Sequence, residues 1–347
     1  MSQFLSKKDA VKEFLLCGKD PVYFINSYIK LSHPQRGVIP FKTWDFQNDL
    51  FQKFNDYQFN IILKSRQLGV TWCAAAYSVW LMIFHREKNI MVICTKFQTA
   101  ANLVKKVKFM IKNLPPWFSQ LATIQFDNKT NFALTNGSEI KAASTATDVG
   151  RSEALSLLII DEAAHIKGLE EIWTAAGATM AAGGRCIAVS SPNGVGNWFY
   201  NEFDKAEKGD GQFHPSRLSW NVHPERDEEW ERKERKKYST KAFAQEYECS
   251  FLSSGDTIIG VEELKRIHKF LKEPKMKVGF DKNLYIWEEH NPNESYMITA
   301  DVARGDGTDY STFHVIKLQT LEQVAEYRGK LSTELFSKLL FDIGDRK

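Results

Sequence analysis

Leu155–Ile166 reads LSLLIIDEAAHI. The apolar residues run to Ile160 and stop at two adjacent carboxylates, Asp161 and Glu162. A short apolar run of this kind is a strand buried on both faces, as in parallel sheets. Its carboxyl end is where open α/β sheets place their ligands. There Asp161 can hold Mg2+, and Glu162 can orient or deprotonate a water. Taken alone, the same letters also describe a strand that ends in a solvated acidic turn, so the neighbouring segments have to decide.

About 90 residues upstream, Lys64–Trp72 reads KSRQLGVTW. It follows the apolar run FNIILK (59–64) and opens TWCAAAYSVWLMIF (71–84), a predicted helix that is apolar nearly all round. Strand, glycine turn, threonine and helix is the layout of a phosphate loop, G-x-x-x-x-G-K-[ST], with Val70 in the lysine slot. Lys64 occupies the first position, from which a lysine can fold back over the phosphates, and Arg66 is a second donor. Backbone N–H groups at the helix start bind phosphate, and a threonine hydroxyl can hold Mg2+. The two segments together are the Walker A and Walker B pair of an ATPase. They predict ATP contacts from Lys64, Ser65, Arg66, Gln67, Leu68, Gly69, Val70, Thr71 and Trp72, with Thr71 and Asp161 on Mg2+. A third stretch, AVSSPNGVGNWFY (188–200), sets Ser190, Ser191 and Asn193 after another buried strand. Hydroxyls and an amide there can sense a γ-phosphate, although the composition also fits a plain Ser-Pro-Asn-Gly turn.

The intervening segments alternate strand and helix: NIMVIC (89–94), TAANLVKKVKFMIKNL (99–114), an Asn-Gly hairpin within 123–144, and RCIAVS (185–190). Such alternation predicts a parallel sheet with helices on both faces. The fold class expected is α/β, a P-loop NTPase of the ASCE or RecA-like type. Hydrophobic content of 43%, charged content of 26% and a net charge of +3 are globular values, and by themselves they announce no nucleic-acid binder. Five cysteines lie scattered without metal or disulfide spacing, which reads as a reducing compartment. No signal-peptide core or membrane-length run is present in the sequence.

In this order the segments resemble the large terminase subunit of tailed phages. The resemblance rests on TWDFQNDLF (43–51), KSRQLGVTW, LSLLIIDEAAHI, SSPNG, FAQEYECSFLSSGDTII (243–259) and ITADVARGDGTDYS (298–311), and it covers nearly the whole chain. It implies an ATP-driven motor that moves double-stranded viral DNA into a procapsid, fused to an RNase H-like nuclease. It also implies that Lys64 is a relocated phosphate lysine, that Arg66 is the loop arginine and that Gln47 reads adenine. A glutamine amide can both donate to and accept from that base. Arg151 would be an arginine finger acting on the neighbouring subunit, and Ser190 and Ser191 would link hydrolysis to DNA movement. The implied partners are double-stranded DNA, the portal protein, the small terminase subunit and further copies of the chain, in a ring that is a pentamer on the portal. No membrane is involved. The implied place is the host cytoplasm, with transient residence at the procapsid portal and absence from the mature virion.

Five segments are expected: an adenine-motif and lid segment (1–57), the ATPase core (58–204), a helical lid (205–250), a linker (251–292) and the start of the nuclease domain (293–347). In the last, Asp301 ends the strand YMITAD, and Asp306 and Asp309 follow in a Gly-rich loop. A two-metal nuclease needs several carboxylates that hold Mg2+ or Mn2+ ions about 4 Å apart. Asp301 and Asp309 match two of the family's ligands, and the remaining ones normally come from later elements. The expectation is therefore ATP hydrolysis without DNA cleavage, and a C-terminal segment with too few strands for its own core. Two other readings stay open. One is a helicase-like nucleic-acid ATPase. The other is a non-hydrolysing, ATP-gated DNA-binding subunit, which Val70 would suit and the Asp161–Glu162 pair would not.

Overall fold

The computed structural model describes residues 7–120, 123–143, 154–180, 183–251, 266–267, 269–279, 282–305 and 309–345. Two compact units follow one another, Met1–Val261 and Glu262–Lys347.

The first unit begins with α1 (Lys7–Lys19) and α2 (Pro21–Tyr28), a hairpin of β1 (Lys30–His33) and β2 (Gly37–Pro40), and α3 (Asp45–Asp56). Asp20 caps α2 by accepting from the N–H groups of Val22 and Tyr23, and Pro21 opens the helix. Then come β3 (Phe59–Lys64), α4 (Val70–Phe84), β4 (Asn89–Cys94), α5 (Phe97–Lys112), β5 (Ile124–Asp127), β6 (Asn131–Leu134), β7 (Glu139–Ala143) and β8 (Leu157–Asp161). They are followed by α6 (Leu169–Met180), β9 (Arg185–Ser190), α7 (Trp198–Glu207), β10 (His214–Leu218), α8 (Glu228–Arg235) and α9 (Thr240–Glu246).

One sheet runs β10-β3-β9-β8-β4-β7-β6-β5. It is parallel from β10 to β7 and antiparallel across β6 and β5. Alternate residues of its strands feed two cores. Ile62, Ile90, Val92, Ile159 and Val189 pack with α4, α5 and the N-terminal helices, and Ile61, Leu63, Ile93, Ile160 and Ala188 pack with α6 and α7. The α/β expectation holds, and the apolar runs at 59–64, 89–94 and 185–190 are β3, β4 and β9 residue for residue.

Helix α4 lies in the first core and is buried from Cys73 to Ile83. Its large side chains bury because their polar tips are satisfied: Tyr77 Oη donates to the Phe54 carbonyl at 3.0 Å, and Trp80 Nε1 to the Cys17 carbonyl at 2.9 Å. Phe24, Ile25, Leu50, Phe51 and Phe54 close the same core, and each such side chain stabilises the fold by about 2 kcal/mol. Residues from α1 to α3 thus share the hydrophobic core on this face of the sheet. Within 205–250, expected as a helical lid segment, residues 214–218 form the strand β10, parallel to β3. As an edge strand it needs no apolar run and tolerates Pro215, which hid it from the pattern.

The second unit pairs β11 (Met276–Val278), β12 (Leu284–Ile286), β13 (Tyr296–Asp301), β14 (Ser311–Lys317) and β15 (Glu322–Gly329) as an antiparallel sheet in the order β11-β12-β15-β14-β13, followed by α10 (Thr333–Gly344). The residues expected to be a linker supply β11 and β12. Leu284 and Ile286 of β12 join Phe313, Val315, Tyr327 and Phe336 in a core of their own. The expectation of too few strands is corrected by these two, each only three residues long and flanked by charge.

Candidate nucleotide site

The parallel register sets the functional residues in a row. Cys94 stands beside Asp161, Asp161 beside Val189, and Ser190 beside Leu63. Lys64, Asp161 and Ser190 therefore end neighbouring strands on one edge of the sheet.

The loop between β3 and α4 turns tightly because two residues adopt left-handed backbone, Gln67 at φ 60° and Gly69 at φ 73°. Gly69 is the last residue before α4, and a Cβ there would meet Gln47 Nε2 at 3.0 Å. Gly69, Val70, Thr71 and Trp72 at the start of α4 line the cleft, and a helix start is where an anion can bind. Thr71, in that first turn, donates from Oγ1 to Asp161 Oδ2 at 3.0 Å. Asp161 is only 7% exposed. Burial raises its pKa, the Glu162 charge adds to that, and Lys64 and Thr71 oppose it. A buried carboxylate beside a hydroxyl is a hard oxygen pair, and a cation nearby favours the ionised form, so these residues fit Mg2+.

Glu162 is also left-handed, at φ 58°, a position that strained functional residues take more often than others. Its Oε1 lies 3.6 Å from Lys64 Nζ, and its Oε2 lies 4.0 Å from His165 Nε2. Lys64, Gln67, Thr71, Trp72, Asp161 and Glu162 all line one cleft of about 370 Å³, together with residues of α5. Leu68, Gly69 and Val70 also border the cleft, and Val70 is at the same time only 1% exposed and part of the apolar core.

Other residues singled out from the sequence sit around the cleft rather than on it. Gln47 is 2% exposed. Its Oε1 accepts from the Trp44 N–H at 3.2 Å, and its Nε2 donates to the Leu68 carbonyl at 3.0 Å, so its amide props the loop. Ser65 is fully buried. Arg66 turns outward, with Nε 2.6 Å from Glu246 Oε2 and its N–H donating to the Glu246 carbonyl at 2.9 Å. Ser190 Oγ accepts from the Ala164 N–H at 3.1 Å, and Asn193 Nδ2 donates to the Ala164 carbonyl at 3.0 Å. Both residues thereby grip the single 3-10 turn Ala163–His165 that follows Glu162. Ser191 is buried beside them. Arg151 and Asp306 lie outside the described residues. In the second unit Asp301 ends β13 and Asp309 precedes β14, both exposed. Among the described residues no group of three or more His, Cys, Asp or Glu side chains is placed to hold a metal ion.

Pattern reading passed over three residues. Arg226 donates from Nη2 to the Arg66 carbonyl at 3.1 Å and stacks 4.6 Å from the centre of the Trp230 ring. Glu246 holds Arg66. Lys106, on α5, lines the cleft. Arg226 and Glu246 sit in a charge-dense stretch, and Lys106 is one of several lysines on its helix, so none carried a distinguishing local signal.

The family described as terminase large subunit, T4likevirus-type, N-terminal, matches residues 61–266, more than half of the chain. This chain belongs to the terminase large-subunit family. As a large terminase it is an ATPase of viral DNA packaging. Its fold is similar to the large terminase ATPase domain of Thermus phage P74-26, with TM-score 0.52 and 21% identity over 61% of this chain and 94% of that one. The large terminase of a thermophilic bacteriophage, in complex with ADP, has TM-score 0.50 and 14% identity over 88% of this chain and 75% of its own. The HK97 bacteriophage large terminase gives 0.55 and 15% over 86% and 64%. At these identities the likeness speaks for the fold alone. Among the described residues of the terminase chain, no helix is long and apolar enough to cross a membrane.

Proposed function

We propose that this terminase binds ATP with Mg2+ in the 370 Å³ cleft, hydrolyses it there, and uses the cycle to move double-stranded DNA into a procapsid. The observation that carries the reading is the Thr71–Asp161 hydrogen bond at 3.0 Å beside the Lys64–Glu162 pair at 3.6 Å. Thr71 and Asp161 would hold Mg2+, which when bound neutralises charge on the β- and γ-phosphate oxygens. The α4 N–H groups and Lys64 hold the phosphates. Glu162 takes a proton from the attacking water, whose oxygen bonds to the γ-phosphorus as the bond to the bridging oxygen breaks and ADP departs. Lys64 leaves Glu162 for the terminal phosphate, which frees the carboxylate to act as a base. Ser190 and Asn193, bound to the turn after Glu162, then feel the change of state and pass it onward.

The rest of the reading follows the family resemblance. The chain works as a ring, a pentamer on the portal, with the small terminase subunit selecting DNA. Arg151 serves a neighbour's site, Arg66 acts in its own loop, and Gln47 serves the adenine side. Residence is the host cytoplasm and, transiently, the procapsid portal. Contact with DNA is mainly to phosphates and weakens steeply with salt. At the second unit the reading is that Asp301 and Asp309 do not suffice for cleavage. Plasmid nicking in Mg2+ or Mn2+ that Asp301→Ala abolishes would overturn that part.

The deciding experiment is ATP turnover with and without duplex DNA, for the parent and for Lys64→Ala, alone and on assembled procapsids. Turnover that Lys64→Ala removes supports the motor reading. A parent that binds ATP and never turns it over, even on procapsids, would favour the ATP-gated binding subunit instead.

A further inference from the structure

Helix α5 leaves β4 at the sheet edge that carries the site, since Cys94 at the end of β4 stands beside Asp161. Three residues spaced along α5, Thr99, Asn102 and Lys106, share one face of the helix and line the cleft opposite the loop. Two other lysines of the helix are engaged elsewhere: Lys108 and Lys112 pair with Asp127 at 2.9 and 2.7 Å. Lys106 has no carboxylate within ion-pair distance among the described residues. Its ammonium lies 5.2 Å from the centre of the Trp72 ring, the residue after Thr71. Burial lowers its pKa, and the Asp161 charge pulls it partly back. A half-buried cation resting on an aromatic face, with a cleft before it, has its desolvation only partly offset by Asp161 and room for a further anion.

The distribution of charge in the cleft says which anion fits. In an ordinary phosphate loop one lysine at the helix start serves the β- and γ-phosphates. Here that slot is Val70, buried in the core, and Lys64 lies against Glu162. A nucleotide whose β-phosphate sat at the start of α4 would have its terminal phosphate in the part of the cleft lined by Asp161, Glu162 and α5.

We propose that Lys106 is a second phosphate lysine, which swings from the Trp72 ring to the terminal phosphate of ATP and shares with Lys64 the charge that position 70 does not supply. The proposal rests on the nucleotide reading given above. It makes Lys106 a substrate-contacting residue that tells ATP from ADP.

The test is calorimetric binding of a non-hydrolysable ATP analogue and of ADP, each with Mg2+, to the parent, Lys106→Gln and Lys106→Arg. Glutamine keeps the buried stem without the charge, and matched thermal melts confirm that each variant folds. A charge-assisted contact to one phosphate predicts about a tenfold loss of analogue affinity in Lys106→Gln. ADP affinity should stay within about twofold, and Lys106→Arg should recover most of the loss. Equal losses for both nucleotides, or no loss for either, would overturn the proposal. Unchanged analogue binding with weakened duplex-DNA binding would assign Lys106 to the DNA backbone and overturn it as well. A parent that binds neither nucleotide would bring down the ATP reading itself, and this inference with it.

Discussion

Lys64 and Glu162 face each other at 3.6 Å, although β9 lies between their strands in the sheet. In the proposed cycle the phosphate-binding cation and the water-activating carboxylate are paired with one another until substrate separates them. Glu162→Gln removes the base and leaves Lys64 free. We expect its turnover to fall by about 100-fold or more, while its ATP affinity equals or exceeds that of the parent. Lys64→Ala should lose both. Turnover assays paired with binding isotherms distinguish the two patterns, and equal affinity losses in both variants would contradict this account.

Asp161 is expected to destabilise the nucleotide-free protein. Burial raises its pKa, so as pH climbs through the interval above the ordinary carboxylate range, the unfolded chain ionises first and the folded chain later. Stability falls across that interval, and the penalty persists above it. Asp161→Asn should therefore melt at a higher temperature than the parent near neutral pH, with the difference closing as pH drops to the ordinary carboxylate range. The same variant should be inactive. A melting curve that shows no gain at neutral pH would refute the sign.

Gly69 combines a φ of 73° with Gln47 Nε2 at 3.0 Å from the place of a Cβ. Gly69→Ala must strain the loop or displace the Gln47 prop. We expect a loss of about 1–3 kcal/mol in urea unfolding, together with weakened nucleotide binding. A loss below a few tenths of a kcal/mol would mean that the loop relaxes freely.

Asn193, just past the end of β9, reaches the Ala164 carbonyl. Asn193→Ala removes one hydrogen bond, worth about 1 kcal/mol, and leaves Ser190 to hold the Glu162 turn without the Asn193 bond. ATP hydrolysis should then continue with much less DNA moved per ATP, as a packaging assay on procapsids would read out. Loss of hydrolysis and packaging in equal proportion would mean that Asn193 supports the chemistry itself.

The parts of this molecule legible in the sequence are those whose physics is local. β3, β4 and β9 announce themselves because a strand buried on both faces must be apolar throughout. Thr71, Asp161 and Glu162 follow because they sit at fixed offsets from such strands. β10 escaped because an edge strand needs no apolar run, and β11 and β12 because each is three residues long. The positions of Gln47 and Arg66 escaped for another reason. Gln47 bonds to Leu68 and Arg66 to Glu246, and partners so distant along the chain leave no trace in a local pattern. Lys106 is the same case, since only the fold sets it apart from the other lysines of α5.

Val70 turned into the core has a mechanical consequence. In an ordinary phosphate loop the charge and the N–H cradle ride on the same helix and travel together. Here Lys64 is mounted on β3, hydrogen-bonded on both sides by β10 and β9, while the cradle belongs to α4. The post is anchored in the sheet and the cup is carried by a separate beam. Any rocking of that beam changes the gap between them, so in the proposed cycle the grip on phosphate would double as a gauge of helix position.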